Sequence, residues 1–485
     1  MRPSAKSKGL IHQAGFPPAV VSSDNNGQEQ PARDKQASGV LPLWRKLVYA
    51  TGTFGDSLSF NAASFYLLFY LTDIIGMGPA DAGLLLALPA FLLFPLDPMA
   101  GALSDRVSSR FGRRRVFLLL CSPVVALGFF LRFFAPPGWN IVSLFFYWLV
   151  VQIAFSVSMT LLLVSYSALT AELSPSNTER AQLVSMQQGF GVVGTMIGSA
   201  LTIVIVQALG GGTVGYGGMA ALYAMLIFSV FMLAFSVTKT IPQTKAKRIS
   251  VRNEALLVVT LPAFRFQFSI WLLTGMVSTV VNALLIFYVG YVLGMEDMFA
   301  PVMLLVMLGA LVSLPFWNHL SCRIDKRHVF AFGAAMFAVS LMTLYFLTTD
   351  NLYLLWSVAI LAGAGTSSIS FLRSAMITDL IAYDSVQVGR SRAGNITGLV
   401  GLGNRAGGAL GSLSVGLLLA LIGYSSGVPV TPQLTEGLRL VISVVPGFLC
   451  ALLILLLMKY PLTSTKITEA EKTLRSGQCP YETKD

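Results

Sequence analysis

Among the charged side chains inside long apolar runs of the sequence, where charge is costly, five are candidate site residues. A charge at the centre of a bilayer costs about 2.5–3.5 kcal/mol, so such a residue normally faces a cavity or a partner of opposite charge. The five residues are Asp56, Asp97, Arg373, Asp379 and Arg405. All but Asp379 are candidates to bind a solute or a cation, and Asp379 is assigned to a gate. A structural ion pair near the membrane surface is the alternative role for Asp97 and Asp379.

Neutral polar side chains accompany these charges. Ser57, Asn61 and Ser64 recur at a spacing of i, i+4 and i+7, which places them on one face of a helix. We add Ser57 and Asn61 to the candidate binding residues. Three more candidates for hydrogen bonds to a solute are Tyr166, Gln188 and Asn282. Small and hydroxylated residues are also common where membrane helices pack, so packing is the alternative role for the Ser and Tyr residues.

The composition identifies the elements that must position these residues. The chain has 485 residues, of which 55% are hydrophobic and only 11% are charged. A soluble protein of this length needs more charge. About twelve apolar runs are long enough to cross a hydrocarbon core of about 30 Å. They lie near 46–74, 82–104, 116–135, 141–170, 181–208, 219–238, 265–294, 299–320, 328–348, 352–381, 393–423 and 436–458. The sequence therefore predicts an all-α membrane protein with twelve transmembrane helices.

Lysine and arginine alternate between the loops that join these runs. The loops 75–81, 136–140, 209–218, 295–298, 349–351 and 424–435 contain neither residue, whereas the intervening loops do. By the positive-inside rule, the basic loops and both termini face the cytoplasm, and we expect an inner or plasma membrane. The same rule explains the net charge of +11 without nucleic acid. The expected partners are a small-molecule substrate and the lipid bilayer, and we expect a monomer.

The longest internal loop divides the predicted spans into two sets of six. We expect a disordered cytoplasmic tail (1–43), an N-terminal six-helix bundle (44–238), a cytoplasmic linker (239–264), a C-terminal six-helix bundle (265–459) and a cytoplasmic tail (460–485). A weak repeat relates the halves, since "DPMAGALSDRVSSRFGRRRVF" (97–117) corresponds to "LPFWNHLSCRIDKRHVF" (314–330). Two related bundles around a midplane cavity are the usual architecture of a secondary transporter.

The sequence lacks the motifs of enzymes and of ATP-driven proteins. The sequence contains no Walker A motif. Its histidines, His12, His319 and His328, have neither a metal-binding spacing nor a plausible catalytic partner. We therefore expect neither an enzyme nor a bound cofactor or metal centre, and a coupling ion, H⁺ or Na⁺, is the one inorganic partner expected.

The segment "GALSDRVSSRFGRRR" (101–115) resembles the G-x-x-x-D-R…G-R-[RK] motif of the major facilitator superfamily. Three further segments, "FYLLFYLTDIIGM" (65–77), "TERAQLV" (178–184) and residues 375–424, are similar to the glycoside–pentoside–hexuronide:cation symporters, the family of the melibiose carrier. The resemblance covers most of residues 45–460. It implies the major facilitator fold, two pseudo-symmetric bundles of six helices.

The resemblance also implies roles for individual residues. It implies that Asp97 belongs to a cation site and that Asp105 closes the cytoplasmic side. The residues assigned to this gate are Gly101, Asp105, Arg106, Arg110, Gly112, Arg113, Arg114, Asp379 and Asp384. Two acids of the family's sodium and sugar site are replaced by Leu93 and Leu162, and its arginine on the fifth span by Gln188. Sodium coupling, proton coupling and uniport therefore all stay open, because a hard cation needs several oxygen ligands.

The expected function is secondary transport by alternating access. The leading expectation is a sugar or glycoside that enters with H⁺ or Na⁺, as the resemblance implies. The loss of acids leaves a more apolar cavity, so an amphiphilic or lipid-like solute is an alternative. A membrane receptor or assembly factor without transport activity is a further alternative, because a fold does not determine a function.

Overall fold

The computed structural model describes residues 42–93, 107, 109, 112, 114–173, 176–238, 260–347, 351–388, 392–427 and 431–462. The two predicted terminal tails and the linker lie wholly or mostly outside these ranges. Six of the predicted site residues also lie outside the described residues, namely Asp97, Gly101, Asp105, Arg106, Arg110 and Arg113.

The described chain is almost entirely helical. A short helix, Leu43–Ala50, leads into a series of longer helices. These are α1 (Gly52–Phe69), α2 (Pro79–Leu92), α3 (Arg115–Arg132), α4 (Ile141–Leu173), α5 (Asn177–Met196), α6 (Gly212–Val237), α7 (Pro262–Phe287), α8 (Phe299–Arg323), α9 (Lys326–Thr343), α10 (Leu352–Val388), α11 (Ala393–Leu421) and α12 (Pro432–Met458). Three of them continue through π-helical turns: α1 through Tyr70–Ile74, α7 through Tyr288–Val292, and α5 through Ile197–Leu201 into Thr202–Ala208.

Nine helices within the described ranges are long and apolar enough to cross a membrane. The other three are α1, α2 and α11. Helix α2 is apolar but has 14 described helical residues, whereas polar residues on α1 and glycines on α11 reduce their hydropathy. A helix that borders a cavity can carry such residues, because only part of its surface faces lipid. The helices are consistent with the twelve predicted spans.

Local sequence signals explain several helix starts. Ser176 caps α5 by accepting a hydrogen bond from the backbone N–H of Glu179, the first half of a capping box. Thr431 caps α12 in the same way through the N–H of Leu434. Prolines occupy the first turns of α2, α7 and α12, where the missing N–H has no helical partner.

The same five helix pairs pack together in each half of the chain. In the N-terminal half, α1 packs on α5 and α6, α3 on α4 and α6, and α2 on α4. In the C-terminal half, α7 packs on α11 and α12, α9 on α10 and α12, and α8 on α10. The two halves are therefore pseudo-symmetric bundles. They contact each other through α1 and α7, α2 and α11, and α5 and α8.

A repeated segment ends α1 and α7. "FYLTDIIGM" (69–77) and "FYVGYVLGM" (287–295) are identical at four of nine positions, have aliphatic residues in both copies at three more, and form the same π-helical turn. Met77 N–H donates to the carbonyl of Leu71 at 2.9 Å, and Met295 N–H donates to that of Val289 at 3.1 Å. Each turn ends at a glycine with positive φ, 79° in the first copy and 62° in the second, a conformation that favours glycine. This repeat is clearer than the one between residues 97–117 and 314–330.

Candidate functional site

A cavity of about 760 Å³ lies between the two halves. Helices α1, α4, α5, α7, α10 and α11 contribute to its wall, as do α2, α3, α8 and α9. Five of the predicted binding residues line it, namely Asp56, Asn61, Asn282, Arg373 and Arg405. Charges predicted inside apolar runs thus meet in one place.

Arg405 joins the two halves at the cavity wall. Its Nη2 donates a hydrogen bond to Oγ1 of Thr160 on α4 at 3.1 Å. Asp56 on α1 also lines the cavity and attracts Arg405 electrostatically. An acid from one half and a guanidinium group from the other therefore share one cavity wall. Such a pair can respond to a bound cation or to a bound solute.

Arg373 is held against an aromatic ring by neutral groups. Its Cζ lies 4.1 Å from the centre of the Trp271 ring. Its Nη1 donates to Oγ1 of Thr274 at 3.1 Å and to Oδ1 of Asn404 at 3.0 Å. These contacts fix the plane of the guanidinium group at the cavity wall.

The two predicted amides at the cavity differ in their bonding. Asn61 donates to the carbonyl of Ser57 at 2.8 Å and to Oγ1 of Thr195 at 3.1 Å. The side chain of Asn282 has no hydrogen-bond partner within the described part of the chain and lines the cavity. Its amide is therefore free to bind a polar group of a solute.

Three predicted binding residues lie away from the cavity wall. The Tyr166 ring stacks on that of Tyr49 at 4.6 Å, and its hydroxyl donates to the Tyr49 carbonyl at 2.7 Å. Gln188 is exposed on α5. Ser57 packs against α5 beside Gly191 and Gly194, since it lies about 100° around the helix from Asp56. The structure gives these three side chains packing contacts or exposure in place of a cavity contact.

The charged gate residues that the structure describes form ion pairs within their own half. Arg114 Nη1 lies 2.6 Å from Oε1 of Glu172. Lys326 Nζ donates to both carboxylate oxygens of Asp379, at 2.7 and 2.8 Å. Asp384 accepts two hydrogen bonds from one guanidinium group, that of Arg392, at 2.5 and 3.0 Å. Gly112 lies in the loop before α3 and has a φ of 101°.

Opposite these basic loops, the two halves touch at what we call the closed end, defined by Asp73, Gly83, Gly416 and Tyr424. The Asp73 carboxylate accepts hydrogen bonds from the hydroxyls of Tyr291 and Tyr424. A Cβ atom added to Gly83 would lie 2.8 Å from the Cα of Gly416. The backbones of α2 and α11 are therefore in direct contact, and the cavity is closed on this side.

Six residues of the site were not predicted from the sequence. They are Asp73, Tyr291 and Tyr424 at the closed end, and Arg132, Gln152 and Thr160. These last three side chains line the cavity. Arg132 lies within the predicted span 116–135, so its position inside an apolar run was an available signal. Asp73 sits at a predicted span end, where a charge costs little, so no sequence signal distinguished it.

This arrangement defines a class of protein: a membrane transporter with the major facilitator architecture, in which two helical bundles enclose a cavity that is closed at one end. Residues 48–464 match the family model for MFS/sugar transport proteins. The chain belongs to that family.

Relatives of this chain include proteins named as symporters or carriers. The chain is 26% identical over 449 residues to the uncharacterized symporter YnaJ of Bacillus subtilis, covering 91% of this chain and 96% of that protein. It is 25% identical over 438 residues to a glucuronide carrier protein homolog of Escherichia coli, covering 88% and 94%. It is 24% identical over 487 residues to the sodium-dependent lysophosphatidylcholine symporter 1-A of Danio rerio, covering 91% and 90%.

Among solved structures, the nucleoside transporter NupG has a similar fold. The TM-score is 0.65 at 12% sequence identity, and the match covers 86% of this chain and 100% of that one. The family match and the symporter relatives show that this chain is a multi-pass membrane protein and a secondary transporter of a small molecule, not an enzyme.

Proposed function

We propose that this protein is a symporter that moves a sugar or glycoside across the membrane together with H⁺ or Na⁺. The observation that carries the proposal is the position of Asp56 and Arg405, which line one cavity from opposite halves of the chain and lie near enough for their charges to interact. The match to the MFS/sugar transport family supports the substrate class.

The cavity has the size and lining that a small polar solute requires. Ligand pockets are typically 300–1,000 Å³, and this one measures about 760 Å³. Its hydrogen-bonding side chains include Asn61, Gln152 and Asn282. Its aromatic side chains include Phe155 and Tyr288. Sugar recognition needs both kinds of group, because hydroxyls require partners and the ring face requires an apolar surface.

Coupling follows from the charge balance at Arg405. When Asp56 is ionised, it attracts the guanidinium group across the interface. A proton or a cation at Asp56 weakens that attraction, which frees Arg405 to contact a solute and lets the two halves separate. Substrate and cation therefore promote each other's binding, as symport requires.

Alternating access requires that the two ends of the cavity open in turn. The hydrogen bonds of Asp73 and the contact of Gly83 with Gly416 close one end. In the topology predicted from the basic loops, this end faces outside, both termini are cytoplasmic, and a monomer in the cell membrane performs the cycle. The present arrangement then corresponds to a state that is closed to the outside.

The test is uptake into proteoliposomes under imposed gradients of pH or sodium. We expect concentrative uptake of a saccharide in the wild type, and its loss in Asp56→Asn with counterflow exchange retained. Asp297→Asn, at an exposed acid outside the cavity, is the control and is expected to transport normally. Unchanged accumulation in Asp56→Asn would contradict the coupling role of Asp56.

An amphiphilic solute is the second candidate. One wall of the cavity is apolar, with Val302, Met303, Val306 and Met307 of α8 and Phe337 of α9. Methionine and branched side chains accommodate an alkyl chain well. One relative is a symporter of lysophosphatidylcholine by name. Competition of saccharide uptake by a single-chain lipid distinguishes the two candidates.

A further inference from the structure

Basic side chains outnumber acids on the described part of the cavity wall. Arg132, Arg373 and Arg405 line the cavity there, whereas Asp56 is the one acidic residue in that part of the lining. Arg405 and Asp56 lie near enough for their charges to interact. The charges of the other two arginines remain to be explained.

Arg373 has polar contacts with neutral groups alone. Thr274 and Asn404 accept its hydrogen bonds, Trp271 stacks on its face, and its Nε is buried without a hydrogen-bond partner. In the described part of the chain no carboxylate lies within ion-pair distance of it. An arginine with a structural role at such depth is normally paired, because a buried charge without a counter-ion is strongly destabilising.

Arg132 has the same kind of environment in the other half. Its Cζ lies 4.3 Å from the centre of the Phe155 ring, and its Nε is also buried without a partner. No described residue accepts a hydrogen bond from its guanidinium group. Two cavity arginines, one from each half, thus lie on aromatic rings and keep donors unsatisfied.

A neutral solute does not balance the charges of Arg132 and Arg373. Sugar hydroxyls can accept a hydrogen bond from a guanidinium group, but they leave its charge uncompensated. A carboxylate or a phosphate supplies both the acceptor atoms and the negative charge, and it matches the planar fork of the arginine. The ring beneath Arg373 holds that fork in a fixed orientation at the cavity wall.

We infer that the transported solute is an organic anion whose carboxylate or phosphate group is bound by Arg373 on the face of Trp271. This inference rests on the proposed function and specifies the solute of the same cavity. We assign the anion to Arg373 and not to Arg132, because Arg373 donates to Asn404, which is adjacent in sequence to Arg405. Arg405 is one of the two residues that we propose for coupling. Arg132 supplies a second positive charge elsewhere on the wall.

The first experiment compares ligands on the unmodified protein. Three alkyl glycosides of one sugar, which differ at C6 as the alcohol, the carboxylate or the phosphate, are titrated in thermal-stability and transport-inhibition assays, each with a short and a long alkyl chain. We expect at least one of the two acids to bind about tenfold more tightly than the alcohol. Equal binding of the alcohol overturns the inference and leaves the proposed function intact. If none of the compounds binds or is transported, the proposed function fails and the inference with it.

The second experiment compares matched arginine variants. Arg373→Gln is expected to weaken binding of the preferred acid about 10- to 100-fold while binding of the alcohol changes less than about threefold. Arg373→Lys keeps the charge but not the planar fork, so its affinity for the acid is expected to lie between those of the wild type and Arg373→Gln. It also replaces Arg373→Gln in the test if that variant folds poorly. Arg265→Gln, at an exposed position on α7, is the control. A preference for acid that survives in Arg373→Gln, or that is lost only in Arg132→Gln, overturns the assignment to Arg373.

Discussion

Asp73 and Tyr291 occupy equivalent positions in the two halves of the chain, and the Tyr291 hydroxyl donates a hydrogen bond to the Asp73 carboxylate. Tyr424, which follows α11, donates a second one to the same carboxylate. Ser426 donates to the Asp73 carbonyl at 3.0 Å. One residue of the N-terminal half is thus bound by three residues of the C-terminal half. We therefore interpret Asp73 as the centre of a latch at the closed end.

Removal of the two tyrosine hydroxyls should weaken this latch. Hydrogen bonds to a charged group contribute about 1.5–3 kcal/mol each, so the Tyr291→Phe/Tyr424→Phe variant should open the closed end at least about tenfold more often. A reporter cysteine at Ser64 in the cavity, with the four native cysteines replaced, measures this through its rate of labelling by an impermeant maleimide. Tyr353→Phe, at a side chain that is 93% exposed, is the control. An unchanged labelling rate would argue against a latch.

The contact of α2 with α11 should not tolerate a side chain. A Cβ atom at Gly416 would lie 2.4 Å from the carbonyl oxygen of Pro79 and 2.7 Å from the Cα of Gly83. Backbone atoms cannot move aside alone, so Gly416→Ala should cost about 1–3 kcal/mol of stability or force the closed end apart. Thermal unfolding in detergent and the labelling assay detect these two outcomes.

Gly401→Ala on the same helix is the matched control for that change. No heavy atom lies within 4 Å of its added Cβ. Alanine is a better helix former than glycine by about 1 kcal/mol, so this variant should be as stable as the wild type or more so. Equal behaviour of Gly416→Ala would show that the two backbones are not in contact in the membrane.

The ion pair between Asp384 and Arg392 should be costly to break from one side. The two side chains are 0% and 5% exposed, so Asp384→Asn leaves a buried guanidinium group without its main counter-charge. Loss of one partner of such a pair typically costs about 3–5 kcal/mol. Double substitution to apolar residues, Asp384→Leu with Arg392→Met, should recover much of this loss. Additive effects of the single changes in thermal unfolding would contradict the coupling of the pair.

The hydrogen bond from Arg405 to Thr160 should orient the guanidinium group toward the cavity. Thr160→Val keeps the shape of the side chain and removes its acceptor. A neutral acceptor for a charged donor contributes about 1.5 kcal/mol, so apparent solute affinity should fall about threefold to tenfold. Ser167→Ala is the control, because this exposed hydroxyl on α4 bonds its own helix at 3.0 Å. Transport kinetics distinguish the two variants, and an unaltered KM in Thr160→Val would refute the orienting role.

Much of the fold and part of the cavity followed from the sequence. Long apolar runs and alternating basic loops predict a helical membrane protein with few alternatives. Charges inside those runs need a cavity or a partner of opposite charge. Asp56, Arg373 and Arg405 occur at the wall of a shared cavity, and Asp379 pairs with Lys326. The family predicted from the segment 101–115 and its companions is confirmed by the family match.

Other features depended on tertiary packing that sequence does not reveal. Tyr166 has a hydroxyl and an aromatic ring suited to a sugar. Its hydroxyl instead donates to the Tyr49 carbonyl, and its ring stacks on that of Tyr49. Whether Ser57 or Asp56 faces the cavity depends on the rotation of α1, which a spacing rule leaves undetermined. The tyrosines that bind Asp73 lie more than 200 residues away, so their meeting depends on how the two halves dock.

The repeated segment at the ends of α1 and α7 has a consequence for the history of the molecule. If one ancestral six-helix unit was duplicated, the two copies of this turn began with the same residue at the position now held by Asp73 and Tyr291. Two aspartates facing each other would repel, and two tyrosines would lack a charged acceptor. A donor and an acceptor arise there only after one copy diverges from the other. On that origin the asymmetry of the present pair is an acquired trait, and it lets the two halves hydrogen-bond to each other at this end.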